Sequence, residues 1–332
     1  MTRGLRNVAA VVGVVLLGAS LAAAAGAQKK KPANPKLTPA ALAKLKGTIV
    51  ADGSSTVGPF TIAAAEIFKK AGAKNVRITV GISGTGGGFE RFCKGETDLQ
   101  NASRPMKQSE AVECQKNGVG WRGFHVVNDA LTVVVNKQNT WAKCLTVAEL
   151  KKIWEPGSKV NNWKDVRPGF PDVPLKLYGA GTDSGTFDYF TEVINGKSRA
   201  SRSDYSPSED DNVTVQGVKG DKGAMGYFGF SYFEENQASL KALEVENPKT
   251  GECVAPSVQT AQDGSYKPLG RPLFLYAKAT AFKRPEVQRF FDFIVANGTA
   301  IATRAEFVPL TPKQTRRVKT LLGYAEKAAN KS

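Results

Sequence analysis

Histidine is nearly absent from this chain of 332 residues, because His125 is its only one. A serine hydrolase triad would have to use that side chain as its general base. A zinc site would need cysteines or histidines at short, regular spacings, which the four cysteines do not have. The scarcity of histidine therefore argues against hydrolytic and zinc chemistry, and we expect His125 to be a strand-edge residue.

Nucleotide and nucleic-acid signatures are missing as well. The Gly-rich stretch 84–89 does not fit the G-x-G-x-x-G pattern, and no Gly-Lys-Ser/Thr sequence follows it. No nucleic-acid motif accompanies the net charge of +16. Residues 1–46 hold eight basic residues and no acid, and residues 313–332 hold six basic residues and one acid, so only +3 remains between them. The basic ends are expected to stay solvated or to contact an acidic envelope surface, not nucleic acid.

The first 46 residues divide into two segments. Two arginines precede an apolar run over 8–21, and the small-residue site Ala25-Gly26-Ala27 follows it. This pattern predicts a cleaved signal peptide over 1–27. The alternative is an uncleaved anchor, although the apolar run is short for a membrane span. Gln28 rather than cysteine follows the site, so no lipoprotein is expected. We expect a basic, mobile linker over 28–46 and a periplasmic or extracellular protein.

Three strand-to-helix junctions carry short runs of Ser, Thr and Gly. These triplets are Ser54-Ser55-Thr56, Ser83-Gly84-Thr85 and Ser184-Gly185-Thr186, which follow apolar runs at 48–50, 76–80 and 175–178. Helices are predicted to begin at about Pro59, Gly87 and Phe187. Each junction collects free backbone N–H groups, hydroxyl donors and the positive end of a helix dipole, which favour an anion. One such junction is usually an ordinary helix cap, but three suggest loops that converge on one small oxyanion.

Strands and helices alternate from Gly47 onward, which predicts an α/β fold with a mostly parallel sheet. The triplets are too far apart in sequence for one continuous loop, so two lobes that face a cleft are expected. Lobe I would comprise 47–129 plus 267–332, and lobe II would comprise 130–266. Further expectations are a buried strand over 130–136 that crosses between the lobes, a helix over 145–154, a strand over 271–276, and a helix over 284–297 closed by Gly298.

Four cysteines, an even count in a chain expected to be exported, predict two disulfides. Three pairings are possible. The pairing Cys93–Cys114 with Cys144–Cys253 keeps each bridge within one predicted lobe, and it is the pairing we expect.

The ordered set of motifs resembles one known family. The motifs are Asp52-Gly53-Ser54-Ser55-Thr56-Val57-Gly58-Pro59-Phe60, Gly81-Ile82-Ser83-Gly84-Thr85-Gly86-Gly87-Gly88, Asn101-Ala102-Ser103-Arg104-Pro105, Gly181-Thr182-Asp183-Ser184-Gly185-Thr186-Phe187 and Gly223-Ala224-Met225-Gly226-Tyr227-Phe228-Gly229. Over about 47–309 they look like the periplasmic phosphate-binding protein of the phosphate ABC transporter. The resemblance implies a type-II periplasmic-binding-protein fold with a hinge and an anion cleft. It also implies a monomer without enzymatic activity, cofactor or metal, which captures inorganic phosphate for a membrane ABC permease.

The resemblance also implies the site residues. Phosphate contacts are expected at Ser55, Thr56, the backbone N–H of Val57, Ser83, Gly84, Thr85, Ser184, Gly185 and Thr186. Two positions depart from the family's pattern, because Arg104 replaces a usual aspartate and Ala180 a usual arginine, while Asp183 precedes the third triplet. We therefore expect Arg104 to clamp the phosphate oxygens and Asp183 to accept the ligand's proton, which would exclude sulfate. Asp183 as a mere helix cap, and Asp52 as the carboxylate instead, are the alternatives.

Three other functions stay open. A receptor for sulfate or molybdate is favoured if the site lacks a proton-accepting carboxylate, which Arg104 suggests. A secreted serine hydrolase would use Ser83, whose surroundings are one glycine short of the G-x-S-x-G elbow. A phosphate scavenger of the envelope that works without a permease would suit the basic ends.

Overall fold

The computed structural model describes residues 34–182, 184–208 and 210–330, so the predicted signal peptide 1–27 and Asp183 lie outside the described residues. The strands are β1 (Gly47–Gly53), β2 (Val76–Val80), β3 (Leu99–Ala102), β4 (Trp121–Asn136), β5 (Cys144–Leu145), β6 (Lys176–Ala180), β7 (Ser206–Ser208), β8 (Ala224–Gly229), β9 (Leu240–Ala242), β10 (Glu244–Glu246), β11 (Cys253–Val254) and β12 (Gly270–Lys278). The helices are α1 (Pro39–Ala43), α2 (Gly58–Lys70), α3 (Gly84–Cys93), α4 (Gln108–Lys116), α5 (Val147–Trp154), α6 (Gly185–Phe190), α7 (Asp211–Gly220), α8 (Phe230–Asn236), α9 (Val258–Asp263), α10 (Pro285–Arg304) and α11 (Pro312–Ala329).

The large sheet joins two sets of parallel strands through antiparallel strands. Its order is β2-β1-β3-β12-β4-β8-β6-β7, and β9 also pairs with β4. On one flank β1 is parallel to β2 and β3, and on the other β6 is parallel to β7 and β8. In the middle, β12 is antiparallel to β3 and β4, and β4 is antiparallel to β8. The predicted α/β class is confirmed, with parallel pairing confined to the flanks.

Strand β4 runs through both halves of this sheet. Its first part, 121–130, pairs with β12, and its second part, 131–135, pairs with β8. It is therefore longer than the predicted strand 130–136. Every residue over 126–136 is buried, which is typical of a strand covered on both faces. β4 lies where the sequence predicts a crossover between lobes.

Two large apolar clusters lie on either side of this crossover. One joins buried residues of 42–127 with those of 273–329. The other joins residues of 130–269 with Val308. The clusters divide the chain close to the boundaries predicted for the two lobes, except that Leu269 and Val308 pack with the second cluster.

The chain ends differ from expectation where the structure describes them. The predicted linker 28–46 contains α1, which begins after Thr38 because the Thr38 hydroxyl accepts a hydrogen bond from the Ala41 N–H and Pro39 fits the first helical turn. Leu42 of this helix is fully buried in the first cluster. The described part of the linker is thus folded against the body, not a free spacer.

The basic C-terminal segment is also folded, as helix α11. Thr311 and Gln314 form a capping box at its start. Val318 and Leu322, one turn apart, are buried against the first cluster, so the charged residues occupy the outer face. This amphipathic helix replaces the solvated tail expected from its charge.

Helix α10 passes through the predicted stop at Gly298 and ends at Arg304. Asn297 has non-helical angles of φ −117° and ψ 15°, and its side chain donates to the Phe293 carbonyl. Ile301 and Ala302 beyond this point are buried, so the helix continues past a kink at Asn297, directly before the glycine.

The disulfides Cys93–Cys114 and Cys144–Cys253 are both present, which confirms the predicted pairing. The first joins α3 to α4, and the second joins β5 to β11. Among the described residues, none of the helices combines the length and the apolar character that crossing a membrane requires.

Candidate functional site

A cavity of about 230 Å³ lies where the first two triplet loops, α6 and the start of β12 come together. Its walls carry hydroxyls, backbone amides and charged groups; they are Ser54, Ser55, Thr56, Gly84, Thr85, Gly86, Ser103, Arg104, Lys107, Asp188, Tyr189, Glu192, Ser198 and Arg271. A larger groove of about 370 Å³ beside α10 and α11 has no charged side chain in its walls. Because residues of two of the triplet loops line the smaller cavity, it is the candidate site for a small oxyanion.

The first loop enters this cavity from β1. Ser54, also in the wall, is fixed by two hydrogen bonds, because its N–H donates to the Asn101 carbonyl (2.9 Å) and its hydroxyl accepts from the Val57 N–H (3.4 Å). Ser55 and Thr56 are in the cavity wall, and their contact with phosphate stays a prediction. Val57 is fully buried and is not in the wall, so its N–H serves the loop itself.

The second loop is held by Asp52 at the end of β1. One carboxylate oxygen of Asp52 accepts from the Ser83 N–H (3.1 Å) and from the Ser83 hydroxyl (3.0 Å), and the other pairs with Arg91. Ser83 therefore faces Asp52 and not the cavity, and Asp52 has a structural role. Helix α3 begins at Gly84, which has a φ of 77° that suits glycine. Because the helix starts there rather than at Gly87, Gly84 and Thr85 reach the cavity wall.

The third triplet meets the first loop directly. The Thr56 hydroxyl donates to the Gly185 carbonyl (3.2 Å), and a Cβ atom placed on Gly185 would lie only 2.6 Å from the Thr56 nitrogen. The Ser184 hydroxyl caps α6 by accepting from the Thr186 N–H (3.1 Å). The contact between Thr56 and Gly185 therefore joins the two halves. Asp188 and Tyr189 of α6 line the cavity, whereas Ser184, Gly185 and Thr186 are not in its wall.

Arg271 is one of the cavity residues that the sequence reasoning missed. Its guanidinium donates to the Thr56 hydroxyl (3.0 Å) and to the Ser103 carbonyl (3.2 Å), and lies 3.2 Å from the centre of the Tyr189 ring. It also pairs with Asp129 at 3.3 Å, and both side chains are at least nine-tenths buried. Arg271 stands directly opposite Asp129 in the β12–β4 ladder. The sequence feature that could have indicated Arg271 is a basic residue at the start of an apolar strand.

The buried ion pair between Arg271 and Asp129 is subject to two opposing electrostatic effects. Burial raises the pKa of the Asp129 carboxyl, and the positive charge of Arg271 acts in the opposite direction. Tyr189, stacked on the same guanidinium, has a pKa raised above its ordinary value mainly by burial. Hydrogen bonds made to a charged group in a buried position of this kind are stronger than those between neutral groups.

Arg104 is in the cavity wall, but its fork is already engaged. Two of its nitrogens donate to the two carboxylate oxygens of Glu110, at 2.9 and 2.7 Å. Burial acts to raise the pKa of Glu110, but hydrogen bonds from Arg104 and from the Lys107 N–H outweigh it and hold that pKa below its usual range. Because Arg104 uses these N–H groups on Glu110, it would act on a ligand mainly through its positive charge. Its role as a phosphate clamp stays a prediction. Because Asp183 is not described, the proposed exchange of charges between the lobes stays a prediction too.

Comparison with known proteins places these features in context. Residues 25–297 match the family model of a PBP superfamily domain. Protein SphX of Synechococcus elongatus is 49% identical over 270 residues, which are 81% of this chain and 79% of that protein. The phosphate-binding protein PstS of Staphylococcus saprophyticus is 38% identical over 271 residues, 81% of this chain and 82% of that protein. The crystal structure of a "possible phosphate binding protein" from Planctomyces limnophilus matches with a TM-score of 0.81 at 47% identity, over 85% of this chain and 99% of that chain.

Proposed function

We propose, from the premise that this chain belongs to the PBP superfamily, that it captures inorganic phosphate in the described cavity and delivers it to a membrane ABC permease. The relative PstS is named as a phosphate-binding protein, and a solved relative with 47% identity is described as a possible phosphate binding protein. The fold, with a crossover strand and loops from both halves around one cavity, suits a receptor that encloses its ligand.

The observation that carries this proposal is the placement of Arg271. Its guanidinium touches Thr56 and Ser103 on one side and Tyr189 on the other, so an anion beside it would contact both halves. Thr85 and the N-terminal turn of α3 supply hydroxyl and amide donors to the same space. Charge-assisted hydrogen bonds each contribute about 1.5–3 kcal/mol, so a few of them hold a small dianion tightly without covalent chemistry.

The protein acts as a binding protein and not as a hydrolase. The Ser83 hydroxyl is hydrogen-bonded to Asp52, whereas the His125 ring is hydrogen-bonded to the Asn128 side chain (3.0 Å). Neither contact offers Ser83 the imidazole base that a triad needs. This supports the binding role over the hydrolase alternative raised by the G-x-S-x-G-like sequence.

The direct test is calorimetric titration of the mature chain, from Gln28 onward, with phosphate and with sulfate. We expect one phosphate per chain, and no measurable sulfate binding at the same concentrations. Absence of phosphate binding would overturn the proposal, and equal binding of sulfate would favour a general oxyanion receptor.

Delivery to a permease is tested in cells. Deleting the gene should lower uptake of labelled phosphate at micromolar supply, and the wild-type chain should restore it while an Arg271→Gln chain should not. Uptake that is unaffected by the deletion would assign the protein to scavenging instead. We place the protein outside the cytoplasm as a monomer, which fractionation and light scattering of the exported chain would check.

A further inference from the structure

We propose that the outer face of α11, together with the groove beside its C-terminal end, binds the surface of a bilayer that contains anionic phospholipid. This interaction goes beyond the capture and delivery of phosphate, and it would hold the protein beside a membrane. Three features support it: cations without acidic partners, exposed apolar side chains among those cations, and a position away from the phosphate cavity.

The outer face of α11 is basic, and its charges are not neutralised within the described part of the chain. The helix has five basic residues and one acidic residue, Glu326. All of the basic residues are exposed; they are Lys313, Arg316, Arg317, Lys319 and Lys327. Among the described residues, none of the five forms an ion pair. An anionic surface would supply the missing counter-charges, and each basic side chain close to it would strengthen binding.

Apolar side chains lie within this basic face. Tyr324 is 64% exposed, the largest exposure of any large apolar side chain that the structure describes, and Leu321 is 39% exposed. Arg317, Leu321 and Tyr324 are four and three residues apart, so they are neighbours on one side of the helix. A face that only stays solvated needs no such side chains. Leucine and tyrosine between cations suit the interface of a bilayer, where aromatic rings lie at the level of the headgroups.

A groove of about 350 Å³ continues this face at the C-terminal end of α11. The last turns of the helix, which carry alanines, form one wall, and the segment Ala279–Lys283 forms the other. The charged side chains of the groove are Arg122 and Lys283, and both residues are exposed. Apolar walls beside two cations fit a phospholipid, because its phosphate can lie at the cations while its first methylene groups contact the alanines.

The proposed surface is separate from the phosphate cavity. Arg122 pairs with Ala277 near the end of β12, whereas Arg271, which lines the cavity, lies at the start of the same strand. The helix α11, which the structure describes in full, contributes no residue to the cavity wall. Binding to a membrane would therefore leave the cavity accessible, and phosphate should bind equally well to the protein on vesicles and in solution.

The test is sedimentation of the mature chain, from Gln28 onward, with vesicles of phosphatidylcholine alone or mixed equally with phosphatidylglycerol. We expect binding to the mixed vesicles only, and salt should weaken it. Arg317→Gln/Lys327→Gln should weaken it about 30-fold, the loss expected for two basic side chains near an anionic surface. The matched control is Lys151→Gln/Lys159→Gln, which removes two exposed lysines from the other half and should bind like the wild type.

Leu321→Ser/Tyr324→Ser distinguishes a bilayer from a soluble polyanion. It should weaken vesicle binding at least about tenfold, because the bilayer would no longer cover two apolar side chains, and it should leave binding to a DNA fragment unchanged. The proposal is overturned if the wild type binds DNA as tightly as the mixed vesicles, or if vesicle binding survives intact in either α11 variant. Circular dichroism and calorimetric titration with phosphate check that every variant is folded.

Discussion

The Arg271 side chain contacts residues of both halves of the molecule, so its replacement is the most direct test at the scale of one residue. Arg271→Lys keeps the charge but loses the planar fork that reaches Thr56 and Ser103 together. We expect phosphate affinity to fall by about 1.5–3 kcal/mol, the value of one charge-assisted hydrogen bond. Calorimetric titration measures this loss. Affinity equal to that of the wild type would remove Arg271 from the site.

The partner of Arg271 separates binding from folding. Arg271→Gln alone leaves Asp129 as a buried carboxylate without its cation, which costs about 3–5 kcal/mol of stability. The double variant Arg271→Gln/Asp129→Asn should recover much of that stability in thermal unfolding without recovering phosphate binding. Recovery of both would mean that Arg271 acts only on the fold.

His125 provides a pH prediction, because it is the only histidine of the chain. Burial is the main cause that lowers its pKa from the ordinary 6.5, and the hydrogen bond with Asn128 opposes this. The unfolded chain therefore binds the proton more readily, so stability is complete above about pH 6.5 and declines as the pH falls below it. Nuclear magnetic resonance titration of the single imidazole should give a midpoint below 6.5. His125→Gln should flatten this part of the stability profile, and a midpoint above 6.5 would contradict the prediction.

At individual positions, the sequence predicted the site in part. Ser55, Thr56, Gly84, Thr85 and Arg104 are in the cavity wall, because a strand-to-helix junction places such residues at one end of a sheet. The directions of single side chains depend on distant partners and were not predictable. The Ser83 hydroxyl donates to Asp52 and does not face the cavity. The pairing of β12 with β4 places Arg271, which is distant in sequence, in the cavity wall.

At the scale of elements, the bridge between α3 and α4 supports a wall of the cavity. Cys93–Cys114 joins the end of α3 to α4, and the first turn of α3 contains Gly84 and Thr85. Replacing both cysteines by serine should cost about 2–4 kcal/mol of stability. It should also weaken phosphate binding, because α3, whose first turn lines the cavity, loses the covalent link at its far end.

The second bridge is the matched control for this prediction. Cys144–Cys253 joins β5 to β11, and neither strand lines the cavity. Its double serine variant should lose comparable stability in thermal unfolding while phosphate affinity in calorimetry stays the same. Equal loss of affinity in both variants would show a general effect of unfolding and not a local one.

Elements whose sequences show a clear cap or regular apolar spacing were predictable, whereas a helix whose sequence is dominated by charged residues was not. The strand over 76–80 is observed with the predicted bounds, and the helix predicted over 145–154 is α5, which begins after the Thr146 cap. α11 was missed because its lysines and arginines dominate the composition. Its apolar residues Val318, Leu322 and Ala325 follow helical spacing, so the signal was present beneath the charge.

At the scale of the whole molecule, we expect the contact at Gly185 to limit how closely the two halves approach each other. A methyl group there would lie 2.6 Å from the Thr56 nitrogen, which is backbone and cannot turn aside. Overpacking of this kind costs about 1–3 kcal/mol, so Gly185→Ala should weaken phosphate binding by about tenfold or more. Small-angle scattering should show a larger radius of gyration for the phosphate-saturated variant than for the wild type.

Gly323→Ala is the control for that substitution. Gly323 lies within α11, and a Cβ atom there would have nothing within 4 Å. The change should stabilise the helix by about 0.5–1 kcal/mol and leave phosphate affinity unaltered. If the Gly185→Ala variant has the radius of gyration and the phosphate affinity of the wild type, the backbone at Thr56 shifts enough to accommodate the added methyl group.

Because β4 belongs to both halves at once, the chain passes from one half to the other within a strand. Residues 121–130 pair with β12 and residues 131–135 pair with β8, so the two ladders meet between Ala130 and Leu131. A relative movement of the halves would therefore bend this strand at that point while each ladder keeps its own pairing.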